Sequence, residues 1–173
     1  NQETPIPEEQ RNAWLADMLV KINNGHASEQ EIGQYFRVKG NEYGATSGRP
    51  PRTGGFDAAW LRYPLQVNGP DDLVLTKLDC LSGLAILRVA TGYRNSDRPY
   101  EPGRIPALSS EFGALEPDYT DVPGWSEDIT GETNYDSLPA ATRNYIELIE
   151  GMIGVPFRYI GTGPDREHII VRD

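Results

Sequence analysis

Apolar positions recur at helical spacing at Trp14, Leu15, Met18, Leu19 and Ile22, and again at Ile32, Tyr35 and Phe36. Thr4-Pro5-Ile6-Pro7 leads in as an extended segment. Pro7-Glu8-Glu9 opens the first helix, with a proline near the first helical position and acids at the positive end of the dipole, and Asn23-Asn24-Gly25 stops it. Ser28-Glu29-Gln30-Glu31 is a capping box for the second helix, which ends at Gly40. Both helices read as structural, their aromatic stripes facing a core. A third runs from a cap at Asp57 to about Asn68, with Trp60, Leu61 and Leu65 on one face and a kink at Pro64.

Gly69-Pro70-Asp71-Asp72 then turns the chain into Leu73–Asp79, an aliphatic run that reads as a buried parallel strand covered on both faces. Ile86–Arg94 is a second strand with Leu87, Val89, Thr91 and Tyr93 on one face, followed by a turn at Asn95-Ser96-Asp97. A proline-rich excursion through Pro99, Pro102 and Pro106 leads to a short strand between Glu116 and Trp125, bounded by prolines and so placed at a sheet edge. Ser126–Asp136 is an acidic loop. Ser137 caps a helix with Pro139 in its first turn, packed through Tyr145, Ile146, Leu148, Ile149, Met152 and Ile153 and ended by Gly154. Phe157–Ile160 and Ile169–Val171 are strands around a turn at Gly161–Arg166. Strands and helices interleave without a repeat, which gives one unit of the α/β class.

Composition narrows the function. The 173 residues suffice for one domain with a core. A net charge of −10 repels phosphate backbones, so neither nucleic acid nor an anionic membrane is the expected partner, and any phosphate must be held by a local basic group. Cys80 is the only cysteine, and His26 and His168 lie far apart, so neither a disulfide nor a metal site of these residues is expected. No run is long and apolar enough for a membrane span, and no signal peptide is visible. A cytoplasmic protein with an N-terminal part removed would begin as this chain does, at Asn1.

Two stretches carry chemistry. Gly44–Gly55 is built of glycines, prolines, hydroxyl residues and two arginines, and cannot form a core. As a generic stretch it is a surface loop; as a site, Thr46, Ser47 and glycine-exposed N–H groups would grip anionic oxygens, and Arg49 would supply a bidentate fork. A dicarboxylate or a phosphate suits it. The second is Lys77-Leu78-Asp79, at the carboxyl end of its strand, where open α/β sheets place ligand crevices. A carboxylate there can accept the ring N–H and exocyclic amine of guanine together, a donor pair adenine lacks, while the lysine stem lies along the purine face.

The order Gly44-Ala45-Thr46-Ser47-Gly48-Arg49, Phe56-Asp57, Leu75-Thr76-Lys77-Leu78-Asp79, Pro123-Gly124-Trp125, Asn144-Tyr145 and Gly163-Pro164-Asp165-Arg166 resembles the C-terminal part of adenylosuccinate synthetase. The resemblance runs from about Gly40 to Asp173, with residues 1–40 a candidate lineage-specific helical insertion. It implies the C-terminal portion of a P-loop NTPase-like adenylosuccinate synthetase fold, a mostly parallel sheet with flanking helices. The implied activity is the joining of IMP and L-aspartate with GTP hydrolysis in AMP biosynthesis, with Mg2+ as cofactor, in a cytoplasmic homodimer. Ala45, Thr46, Ser47, Gly48 and Arg49 then match the aspartate-binding loop, and Arg49 also an IMP contact. Lys77, Leu78 and Asp79 match the guanine-reading segment, and Gly161, Thr162 and Gly163 a second segment beside the base.

Three departures stand out. Pro51 replaces an arginine that contacts GTP in the family, Gly161 replaces a serine, and Gly55 replaces a tryptophan. The phosphate-cradling loop, catalytic pair and magnesium ligands of the family have no counterpart in this chain. It reads as a substrate-recognition part, expected to be inactive alone. A non-catalytic guanine-nucleotide or dicarboxylate binding module, and a structural domain whose loops have lost their ligands, are the competing readings.

Overall fold

The computed structural model describes residues 6–44, 46–95, 98–100, 106 and 108–172. Ala45 of the expected anion loop, and Thr4, Pro5, Ser96, Asp97 and Pro102, lie outside the described residues.

The N-terminal helices form as their patterns predict. Helix α1 (Glu8–Asn23) starts after Pro7. In α2 (Glu29–Gly40) the capping box is complete: Ser28 Oγ accepts from the Glu31 N–H and the Glu31 carboxylate accepts from the Ser28 N–H. Asn41, left-handed at φ 53°, ends α2, a conformation asparagine tolerates better than most residues. Strand β1 (Phe56–Asp57) feeds directly into α3 (Ala58–Asn68), whose first turn is capped by Asp57 Oδ1 accepting from Trp60 N at 2.9 Å. Pro64 lies inside α3 and removes the bond its nitrogen would make to the preceding turn.

Two sheets follow. In the first, β3 (Ile86–Asn95) is central, pairing in parallel with β1 and antiparallel with β4 (Arg98–Pro99) and with β5 (Leu115–Pro123). A short helix, α4 (Ser109–Gly113), precedes β5. In the second, β2 (Leu73–Leu75) runs parallel to β6 (Phe157–Gly161), and β7 (Ile169–Val171) runs antiparallel to it. Helix α5 (Ala140–Ile153) buries Tyr145, Ile146, Ile149 and Ile153 in one core shared with Val89 of the first sheet, Ile160 of the second and Leu78 of the turn after β2.

The α/β class with flanking helices holds, but the sheets are mixed. Among the described residues two strand pairings are parallel and three antiparallel, so the expected mostly parallel sheet is not formed. Strand β2 is also not covered on both faces. It is a three-residue edge strand with Leu75 buried and Val74 59% exposed, and the aliphatic run misled because Lys77 breaks the strand at φ 64°. In β3 the alternation holds at Leu87 and Val89, then fails at a bulge between Ala90 and Gly92 that leaves Ala90 buried as well. Strand β5 is an edge strand, as its prolines require, but Pro117 and Pro123 lie within it rather than bounding it.

Ser137 does not cap α5. It lies in a 3-10 turn (Tyr135–Ser137), and Pro139 is the residue before the helix, without a side-chain cap. Arg143 braces this entry instead, donating to the carbonyls of Asp136 and Leu138 at 2.7 Å.

Candidate functional site

The parallel pairing of β2 with β6 assembles one corner. Leu75 lies beside Ile160, so the segments leaving the carboxyl ends of both strands emerge together. Gly161 shows how close they come: a Cβ there would sit 3.6 Å from Leu75 O and from Thr76 Cα. The two expected guanine segments, Lys77–Asp79 and Gly161–Gly163, are therefore neighbours. The hydroxyl of Thr162 is not available to a ligand. Thr162 is fully buried, its hydroxyl donating to Glu132 O at 2.8 Å and its N–H to His168 O at 2.9 Å. Gly163 packs so closely on the imidazole of His168 that a Cβ would fall 2.4 Å from Nδ1, which fixes glycine there.

After β2 the chain turns sharply. Lys77 adopts the left-handed conformation, sparsely populated by residues with a Cβ and a mark of local strain, and a 3-10 turn over Leu78–Leu81 follows. Leu78 anchors that turn in the core at 1% exposure. Asp79 beside it has Oδ1 shut off from solvent with no hydrogen-bond partner among the described residues, while Oδ2 takes a long contact from the Cys80 thiol at 3.8 Å. Burial, and then the Asp79 charge, push the Cys80 thiol up to about 11, so it stays protonated and unreactive near neutral pH. The Lys77 ammonium donates to Gly40 O at the end of α2 and pairs with Glu42 Oε1 at 3.0 Å.

The other expected site is built differently. Thr46, Ser47, Gly48 and Arg49 are exposed. The loop closes on itself: Gly48 N–H donates to Gly44 O at 2.7 Å, Gly44 N–H to Arg49 O at 3.1 Å, and Arg49 N–H to Ser47 Oγ at 3.3 Å. Gly48, at φ 63°, takes a backbone shape that explains the residue. The Arg49 guanidinium has no partner among the described residues. Further on, Thr53 Oγ1 donates to Gly33 O at 2.6 Å and Arg37 Nη1 to Pro51 O at 3.2 Å, so α2 holds the far end of the loop.

A cavity of about 410 Å³ opens beside Lys77 and Leu78. Its polar wall is Glu42, Thr53, Asp57, Thr76 and Lys77, and Phe36, Leu75 and Tyr145 contribute apolar surface. Asp79, Thr46–Arg49 and Gly161–Gly163 do not line it. Glu42 was missed in the sequence, where an acid beside a helix end gives no sign of a partner that is distant along the chain. Gly55, noted there only as a departure, has a physical reason: a Cβ at that position would lie 2.3 Å from Arg88 O of β3.

A mixed α/β core thus carries a glycine-bearing turn, a strained Lys-x-Asp turn and an exposed arginine loop. Comparison with known proteins is more specific. A family model for adenylosuccinate synthetase matches residues 5–170, and the chain belongs to that family. It is 48% identical to an adenylosuccinate synthetase of Halothermothrix orenii, across 92% of this chain and 39% of that one. A synthetase of Pseudoalteromonas atlantica is 43% identical across 82% of this chain and 32% of its own length. A solved structure of fully ligated adenylosuccinate synthetase from Plasmodium falciparum superposes with a TM-score of 0.79 at 38% identity, covering 83% of this chain and 34% of that one. The chain thus spans between a third and two-fifths of the length of these relatives.

Proposed function

We propose that this chain is the C-terminal part of an adenylosuccinate synthetase that recognises GTP and L-aspartate, with Arg49 also reaching IMP. The whole enzyme would be a cytoplasmic homodimer that joins aspartate to IMP at the expense of GTP. Asp79, with Lys77 and Leu78, reads the guanine, and the backbone of Gly161–Gly163 lies beside the base. Thr46–Arg49, together with Ala45, form the aspartate loop. Magnesium would be the cofactor of the whole enzyme, held by residues outside this chain.

The observation that carries this reading is the unpartnered Asp79 oxygen, in a strained turn that β2–β6 pairing sets against Gly161. A buried carboxylate oxygen without a donor is unfavourable. Swinging it outward to accept two N–H groups from guanine relieves that cost, and adenine offers no such pair. In the full-length enzyme, Asp79→Asn is expected to weaken GTP by about 1.5–3 kcal/mol, because the amide presents a donor where guanine also donates. Xanthosine triphosphate, whose 2-oxo group accepts from that amide, should gain. Competition binding of the two nucleotides checks this, and unchanged GTP affinity would refute the assignment.

A further inference from the structure

Helix α2 is the common mount of both sites. Its end receives the Lys77 ammonium through Gly40 O, a carbonyl that lacks an intrahelical partner at the negative end of the helix dipole. Glu42 supplies the second contact at 3.0 Å. The backbone of Glu42 is itself fixed, its N–H donating to Arg37 O at 2.8 Å. Gly40 permits this close arrangement, since a Cβ there would lie 3.3 Å from Glu42 Cγ and 3.5 Å from Cys80 Sγ. Two residues beyond Glu42 the anion loop begins at Gly44, and its far end returns to α2 through Thr53 and Pro51.

We infer that Glu42 is the positioning residue for guanine recognition, holding Lys77 so that its stem can lie along the purine face and its ammonium stays away from Asp79. The inference rests on the reading of Lys77–Asp79 as the guanine reader. An ammonium on a flexible four-carbon stem can exchange one carboxylate partner for another, and Asp79 follows Lys77 by two residues in the chain. Lys77 is paired with Glu42. Without that partner only Gly40 O would hold it back from turning to Asp79 and occupying the acceptor that guanine needs. Because Glu42 also leads into the anion loop, its loss should reach the aspartate requirement in weaker form.

The test uses the full-length enzyme with Glu42→Gln, Lys77→Met, the double variant, and Asp79→Asn as reference. Both side chains of the pair are about half exposed, so Glu42→Gln should raise the KM for GTP only about three- to fivefold, with kcat nearly unchanged. Discrimination between GTP and ITP, which lacks the exocyclic amine, should fall with it. In the Lys77→Met background Glu42→Gln should add nothing. GDP affinity measured by calorimetry reads the same ratios should turnover be lost. An unchanged GTP requirement in Glu42→Gln, or the same rise with and without Lys77, overturns the role of Glu42. If Asp79→Asn leaves GTP unaffected, the guanine reading itself falls and the inference with it.

Discussion

The corner that carries Lys77–Asp79 and the loop that carries Thr46–Arg49 serve the same proposed chemistry by opposite means. The corner is wedged into the core: Leu78 is buried, Thr162 is fully enclosed by its own hydrogen bonds, and Gly161 lies in contact with the backbone of Leu75–Thr76. Among the described residues the loop is held by its own hydrogen bonds between Gly44 and Arg49 and by α2 at Pro51 and Thr53, with Thr46–Arg49 exposed. A base that must be distinguished by its donor pattern needs rigid acceptors, because specificity is lost when a site can relax around the wrong ligand. A small flexible anion needs donors that can close around it. Rigidity is therefore concentrated where discrimination is needed, and the exposed loop is left free to adapt.

The sharpest way to break that contrast is Leu78→Ala. Leu78 is 1% exposed and sits inside the guanine-reading tripeptide. Truncating it should cost about 2–5 kcal/mol of folding stability, the range for emptying a packed core position. Chemical denaturation measures this directly. A loss below about 1 kcal/mol would mean that the corner is no better anchored than the loop.

Arg49→Leu probes the other side. Its guanidinium touches nothing else in the described protein, so folding stability should stay within about 0.5 kcal/mol of the parent. In the full-length enzyme the aspartate requirement should rise and turnover fall together, by about 1.5–3 kcal/mol for a lost charge-assisted contact, with the GTP requirement changed less. Arg49→Lys should not restore function, because an ammonium cannot form the planar fork. Steady-state kinetics against each substrate decides it, and a lysine variant equal to the parent would reduce the role of Arg49 to bare charge.

How much of this was legible depends on whether the signal was local. The capping box at Ser28 and Glu31, the Asp57 cap and the glycine stops at Gly69 and Gly154 are contiguous in sequence, and each formed. The two site stretches are likewise contiguous patterns of residue types, and their binding roles are proposals. What failed was decided by distant atoms. The aliphatic run at Leu73–Leu75 could not reveal that its neighbour would lie on one side only, nor that Lys77 would end the strand in a left-handed turn. The sheets turned out mixed because β3 pairs with β5 as well as with β1, a choice made by tertiary packing. Gly55 looked like a lost tryptophan until the Arg88 carbonyl was found where its Cβ would stand. Helix α2, read as purely structural, carries both sites at its C-terminal half.

That double duty of α2 can be probed from its other end. At its N-terminus Glu31 pairs with Lys21 of α1 and closes the capping box with Ser28. The hydrogen bond from Lys21, and then those from Ser28, hold the Glu31 carboxyl down at about 2, against an ordinary value of 4.5. A folded-state value below the unfolded one means that the charged form is favoured by folding. The stabilisation is complete above about pH 4.5. It declines as the pH falls towards 2 and is absent below that. Glu31→Gln should therefore melt earlier than the parent near neutral pH, with the gap closing on acidification. The effect should be the smallest of the set, since water bathes the pair and screens it. Thermal melts of both proteins from pH 6 to pH 2 follow the gap. A gap that stays constant across that range would show that the carboxylate contributes packing alone, and that the α1–α2 contact is not set by charge.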